Sequence, residues 1–169
     1  MIHITNQNIG NSNADEFWKT FSKAVIESVG MKENPFHPLV FINGEPIIGK
    51  NVCIGFFSEV NAKNSTVEID DYCDIASFVS INVADSHMYA IDLSDKIERK
   101  TIKFEHHIFV GSHSFIGGGN HIGHHSVIGA GTILINKGYI PPFSLIVGNP
   151  AIIKPEYFKK EYESHHIAQ

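Results

Sequence analysis

From Phe104 onward every sixth residue is apolar: Val110, Ile116, Ile122, Ile128, Leu134, Ile140, Ile146 and Ile152 follow at a single phase. Two shorter runs precede it, Ile48, Ile54, Val60 and then Ile69, Ile75, Ile81, each offset as though a loop interrupts a continuing pattern. A helix repeats its buried face about every 3.6 residues and an ordinary strand about every 2, so a period of six is neither. It suits a short strand and a sharp corner, repeated so that three make one turn of a triangular coil. Two further slots keep the same step. Glycine follows the apolar residue at Gly49, Gly55, Gly111, Gly117, Gly123 and Gly129. Four places after it stands a small or β-branched residue: Val52, Ser58, Cys73, Val79, Ser114, Ser126, Thr132 or Ser144. The large residue is expected to fill the prism, the small one to take the tighter inward position, and glycine to relieve crowding at the corner. A β-sandwich would need three slots to agree by chance. The reading is a parallel β-helix.

The flanks read as helices. Asn13 with Glu16 forms a capping-box pattern, and Phe17, Phe21, Val25 and Val29 recur at i+4 until Gly30. Asn34-Pro35-Phe36-His37-Pro38 reads as a linker, and Pro155 opens a second helix from Glu156 to about Ser164. The expected organisation is therefore a helical segment and linker over 1–38, a coil over 39–154 and a C-terminal helix over 155–169. Among 169 residues no stretch reaches the ~20 apolar residues of a membrane span, and Met1 to Asn13 lacks a signal-peptide signature. A net charge of −5 with scattered Lys and Arg argues against a nucleic-acid partner. Cys53 and Cys73 make no disulfide framework and match no zinc spacing, so a reduced, cytoplasmic protein is expected.

The repeat fails between Ile81 and Phe104, which sets a protruding loop at about 83–102. Loops on rigid scaffolds disproportionately carry function. His87 is the loop's only imidazole, the side chain best matched to proton transfer near neutral pH; a solvated loop histidine without a role is the plainer alternative.

The repeats, Ala84-Asp85-Ser86-His87, the corner Ile128-Gly129-Ala130-Gly131-Thr132 and the closing Gly148-Asn149-Pro150-Ala151 resemble the hexapeptide-repeat acetyltransferases. The similarity runs from about Ile47 to Lys154 and is strongest to the maltose, galactoside and surface-polysaccharide O-acetyltransferases. That resemblance implies a left-handed coil, acetyl-CoA as co-substrate, and a homotrimer whose sites lie between subunits. It places His87 at the family's general base and implies direct transfer without an acyl-enzyme. It points to Gly111, Ser112, Gly129, Ala130, Gly131 and Thr132 along the coenzyme, with Lys154 meeting a phosphate. It suggests Asn61, Asn82 and Asp85 on the acceptor side, Asp85 being also a candidate to orient His87. Where relatives carry a basic residue after Gly-Asn-Pro-Ala, Ile152 stands here, and proline after the catalytic histidine is replaced by Met88.

The acceptor is expected to be a saccharide hydroxyl. Alternatives are an amino group on a nucleotide-linked sugar and a trimeric scaffold without activity. His106, His107, His113, His121, His124 and His125 lie close in sequence, and γ-type carbonic anhydrases bind zinc on the same coil. None of the six occupies an interior slot, however, and neighbours on a strand point to opposite faces, so no metal is expected.

Overall fold

The computed structural model describes residues 12–28, 36 and 39–167. The chain divides into two units, Met1–Glu33 and Asn34–Gln169. The first holds a helix, Ser12–Ser28, on which the rings of Phe17, Trp18 and Phe21 pack together at 5.8–6.0 Å between centroids. The side chain of Asn13, and Val29 and Gly30 at the expected helix end, lie outside the described residues.

The second unit is the coil that the six-residue period predicts. Its strands form three sheets, one per face of the solenoid, and a fourth sheet of two short strands lies off the coil. The first face stacks Phe41–Asn43, Glu59–Asn61, Ser80–Asn82, Phe115–Gly117 and Ile133–Leu134. The second stacks Ile47–Ile48, Val67–Ile69, Ile102–Phe104, Asn120–Ile122 and Gly138–Ile140. The third stacks Cys53–Ile54, Asp74–Ile75, Phe109–Val110, Val127–Ile128 and Leu145–Val147, closed by an antiparallel Ile152–Lys154. Every pairing between successive coils is parallel, and Ile116 stands beside Leu134, Ile122 beside Ile140 and Val110 beside Ile128, one turn apart.

Those columns are the core. Phe104, Ile116, Ile122, Ile128, Leu134, Ile140 and Ile146 are each 0% exposed. A column one residue wide leaves a corner's backbone carbonyls inside, and the small inward slot answers that need. The Ser114 hydroxyl donates to Gly111 O at 2.7 Å, Thr132 to Gly129 O at 2.6 Å, and Ser144 to Pro141 O at 2.6 Å. Ile108 and Asn120 take the same slot where the pattern does not foresee them, and the Asn120 amide donates to Gly117 O at 2.7 Å. Among the described residues no buried side-chain polar atom lacks a partner.

The glycines relieve crowding, and the crowding comes from the neighbouring coil. Gly49, Gly55, Gly111, Gly123 and Gly129 do not hold left-handed backbone; a Cβ on them would run into the next coil. At Gly111 it would lie 2.7 Å from Ala130 Cα and 2.9 Å from the Gly129 carbonyl carbon. The left-handed turn comes two residues later, at Asn51, Phe57, Tyr72, Phe78, His107, His113, His125 and Phe143, all with φ between 55° and 62°. These non-glycine corners stack their rings coil upon coil, Phe57 on Phe78 at 5.1 Å and Phe78 on His113 at 4.8 Å. Stacking of this kind, worth about 0.5–1.5 kcal/mol per pair, offsets a left-handed cost of about 1–2 kcal/mol.

Two flanking expectations change. Phe36, inside the expected linker, packs against the core, while His37 and Pro38 lie outside the described residues. Pro155 opens a turn instead of a helix, because Glu156 has φ 54°; the helix runs Lys159–Ile167. No helix of the described residues is long and apolar enough to cross a membrane.

Candidate active site

The excursion leaves the first face after Ser80–Asn82 and returns on the second at Ile102–Phe104, so it projects from one corner of the coil. Its base is a short antiparallel pair, Ala84–Asp85 with Glu98–Arg99, and a four-residue helix His87–Ala90 sits in between. Asn82 fixes the departure: its amide oxygen accepts the Ala84 N–H at 2.8 Å and the Asn61 amide at 3.3 Å. Asn61 in turn accepts the Lys63 N–H at 3.1 Å, where a smaller bulge leaves the same corner one coil away. These contacts make Asn61 and Asn82 loop anchors, a role that follows from short side chains able to mimic a backbone turn.

His87 is held by Asp85. Its Nδ1 is hydrogen-bonded to Asp85 Oδ1, and its backbone N–H reaches the same oxygen at 3.3 Å. The His87 hydrogen bond, reinforced by that N–H and by the Lys100 charge, holds the Asp85 carboxyl below its ordinary value of 3.8. An ionised carboxylate can only accept, so Nδ1 carries a proton and Nε2 is the nitrogen that Asp85 leaves free. Asp85 is thus the partner of His87, which is one of the two roles the sequence allows it.

The pair borders a cleft of about 640 Å³ that also includes Glu98, Lys100, Phe115, Gly117, Ile135 and Asn136. Sequence reading misses these last residues, although the run Gly117-Gly118-Gly119 is a signal. A Cβ on Gly118 would lie 2.8 Å from Lys100 O and 3.0 Å from Val83 O, so the run exists to admit the base of the excursion. The His87 side chain is 66% exposed. A base this open to water needs a further surface over it to be effective.

The residues expected along the coenzyme gather at another corner, between the third and first faces. Gly111 lies against Gly129 and Ala130, and the Gly131 N–H donates to Ser112 O at 2.9 Å. None of the six is among the residues that border the His87 cleft. Thr132 is a correction: it is 0% exposed, its hydroxyl is spent on Gly129 O and its N–H on Ser114 Oγ at 3.3 Å. Gly131 is the opposite case, left-handed at φ 69° with open space where a Cβ would stand. Lys154 is exposed beside the Tyr157 ring, 5.7 Å from its centroid. Cys73 is buried, and burial pushes its thiol up to about 11, which leaves no thiolate at neutral pH.

A second group of titratable residues lies where the second face turns into the third. The His121 ring shares Glu105 at 2.9 Å with the His124 N–H, also at 2.9 Å. Burial pulls the Glu105 carboxyl upward, but these partners hold it below its usual range. His124 and His125 bring their Nδ1 atoms within 2.9 Å. The opposed-faces argument fails for them because they occupy a corner, not a strand, and His125 is left-handed. Desolvation, then the neighbouring imidazoles, depress His125 to about 4.

No family model matches the sequence. The chain is 26% identical over 137 residues to the bifunctional protein GlmU of Staphylococcus haemolyticus, and spans only 30% of that protein's length. Among solved structures it superposes on a variant of the N-acyltransferase AntD of Bacillus cereus, determined with dTDP and coenzyme A. The TM-score is 0.62 at 17% identity, covering 77% of this chain and 75% of that one. It also superposes on the polySia-specific acetyltransferase NeuO, with a TM-score of 0.56 at 30% identity over 66% of this chain and 48% of that one. The coil is therefore the solenoid on which those transferases are built.

Proposed function

We propose that this protein is an acetyl-CoA-dependent acyltransferase that acetylates a saccharide hydroxyl, with His87 as general base. The observation that carries the reading is the His87–Asp85 pair, set on the one long excursion from an otherwise regular coil. A hydroxyl at its own pKa is a poor nucleophile. Nε2 of His87 takes its proton as the oxygen attacks the thioester carbonyl, the coenzyme thiolate leaves, and the imidazolium returns the proton to that sulfur. Asp85 stabilises the imidazolium and fixes its ring. Backbone N–H groups supply the oxyanion contact such an intermediate requires. Transfer is direct, consistent with Cys73 being a buried thiol.

Coenzyme A is proposed to run past Gly111, Ser112, Gly129, Ala130 and Gly131 through backbone contacts, with Lys154 at a phosphate. The open space over Gly131 supports this, since other corners of that column carry Phe57, Phe78 and His113. The exposure of His87 and its separation from those corner residues support a homotrimer, in which one chain's coenzyme face covers its neighbour's base. Acetyl-CoA being an intracellular donor, the expected location is the cytoplasm and the expected acceptor a surface-polysaccharide precursor. An N-acetyl reading stands beside it, favoured by the likeness to a transferase solved with dTDP.

Thiol release from acetyl-CoA over a panel of free sugars, oligosaccharides and nucleotide-linked amino sugars tests the proposal. Turnover with hydroxyl acceptors supports it, amine-only turnover replaces it with the second reading, and no coenzyme binding by calorimetry leaves a scaffold.

A further inference from the structure

We propose that His106, His124 and His125 form a binding site for one Zn²⁺ per chain, separate from the acyl-transfer site. The period of the coil brings them together. Residues one turn apart stand side by side, as Phe104 does with Ile122, so the pair His106-His107 at one corner lies against His124-His125 at the next. The rings of His106 and His124 are 4.9 Å apart, and those of His107 and His125 stack at 4.8 Å. One ring nitrogen from each of His106, His124 and His125 falls within 4.8 Å of the others.

Two chemical facts make this a donor set. The Nδ1 atoms of His124 and His125 are 2.9 Å apart, so they share a single proton or converge on a cation. Zinc takes imidazole nitrogens at about 2.0–2.1 Å, which sets ligand nitrogens about 3.3–3.5 Å apart. His106 is exposed and His124 and His125 are half-buried, so ring rotation is the movement that closing the triangle to that size requires. Three imidazoles suit zinc and leave its fourth position for water. Glu105 adds negative charge next door, holding the His124 N–H and the His121 ring. On the far side the site is walled by Phe143 and Tyr162, whose ring is 4.6 Å from that of His125. An ion here ties two successive coils together beside the Lys159–Ile167 helix. None of the three histidines borders the His87 cleft.

The test uses tag-free, full-length protein stripped with EDTA and titrated with ZnCl₂ by calorimetry, with Co²⁺ as the spectroscopic probe. The expected result is one ion per chain, tetrahedral Co²⁺ bands, and a melting temperature raised roughly 5–10 °C at a hundredfold excess over Kd. His106→Gln, His124→Gln and His125→Phe, the last keeping the ring stack, should each weaken binding at least about tenfold. The variant His165→Ala should leave it unchanged. Absence of saturable binding by folded protein overturns the proposal, as does binding that survives the first three variants or vanishes with His165→Ala.

Discussion

Gly131→Phe separates two reasons for which a glycine can occupy a corner. The corner column at this edge holds Phe57, Phe78 and His113 at φ 60–62° and then Gly131 at φ 69°. Three residues with side chains already adopt that backbone, so conformation does not require glycine here. Nor does packing, since nothing lies within 4 Å of the missing Cβ. A phenylalanine would lose about 1–2 kcal/mol to left-handed backbone and regain about 0.5–1.5 kcal/mol by stacking on His113, so the net runs from a gain of about 0.5 to a loss of about 1.5 kcal/mol, centred near a loss of about 0.5. Gly111→Ala is the contrast. Its Cβ would sit 2.7 Å from Ala130 Cα, where only backbone can give way, and overpacking of that kind costs about 1–3 kcal/mol. Chemical denaturation should therefore find Gly131→Phe near wild type and Gly111→Ala clearly destabilised. If the space over Gly131 is kept for the pantetheine arm, Gly131→Phe should nevertheless raise KM for acetyl-CoA at least about tenfold. A folded Gly131→Phe protein with KM within twofold of wild type would refute that use of the space.

The other expectations concern the base, the core and the thiols. His87→Ala should lower kcat by roughly 10²–10⁴ with little change in melting temperature, measured by thiol release and calorimetry. Asp85→Asn should lower kcat by up to about 10² through misorientation of the ring, with KM for acetyl-CoA unchanged. Because the folded Asp85 carboxyl lies below 3.8, its stabilising contribution is present above that pH and lost as pH falls through the depressed value. The wild-type advantage over Asp85→Asn in acid titration should thus be flat from neutral pH down and disappear only in strong acid. Phe104→Ala removes the largest fully buried side chain and should cost about 3–5 kcal/mol in urea denaturation. An aromatic disulfide reagent should titrate one thiol per native chain, the exposed Cys53, and leave activity intact because Cys73 is buried.

The coil was legible because every strand of the coil's middle sends a large side chain inward at the same phase, so the period survives as a bare count of six. The loop was legible for the same reason, as the place where the count fails. The corners were not. Sequence reading finds the crowding that Gly49, Gly55 and Gly111 relieve, but not the left-handed turn that follows it. The left-handed positions two residues later hold Asn51 and otherwise Phe, Tyr and His; propensity alone places Phe and Tyr elsewhere, and stacking on the next coil offsets their cost. Phe115, Ile135 and Asn136 beside His87 were illegible too, because outward residues of different coils meet only once the coil is wound.

That winding also explains why polar groups separate into two kinds here. A side chain pointing inward meets a backbone carbonyl at fixed distance and is consumed by it, as Thr132, Ser144 and Asn120 are. A side chain at a corner meets its counterparts one turn away, so chemistry that needs several like groups arises by repetition. His106-His107 over His124-His125 is such a case: two copies of one dipeptide, one turn apart, make a cluster of ring nitrogens that neither copy makes alone. His87 with Asp85 arises differently, on the long departure from the repeat, where the pair has no counterpart one turn away.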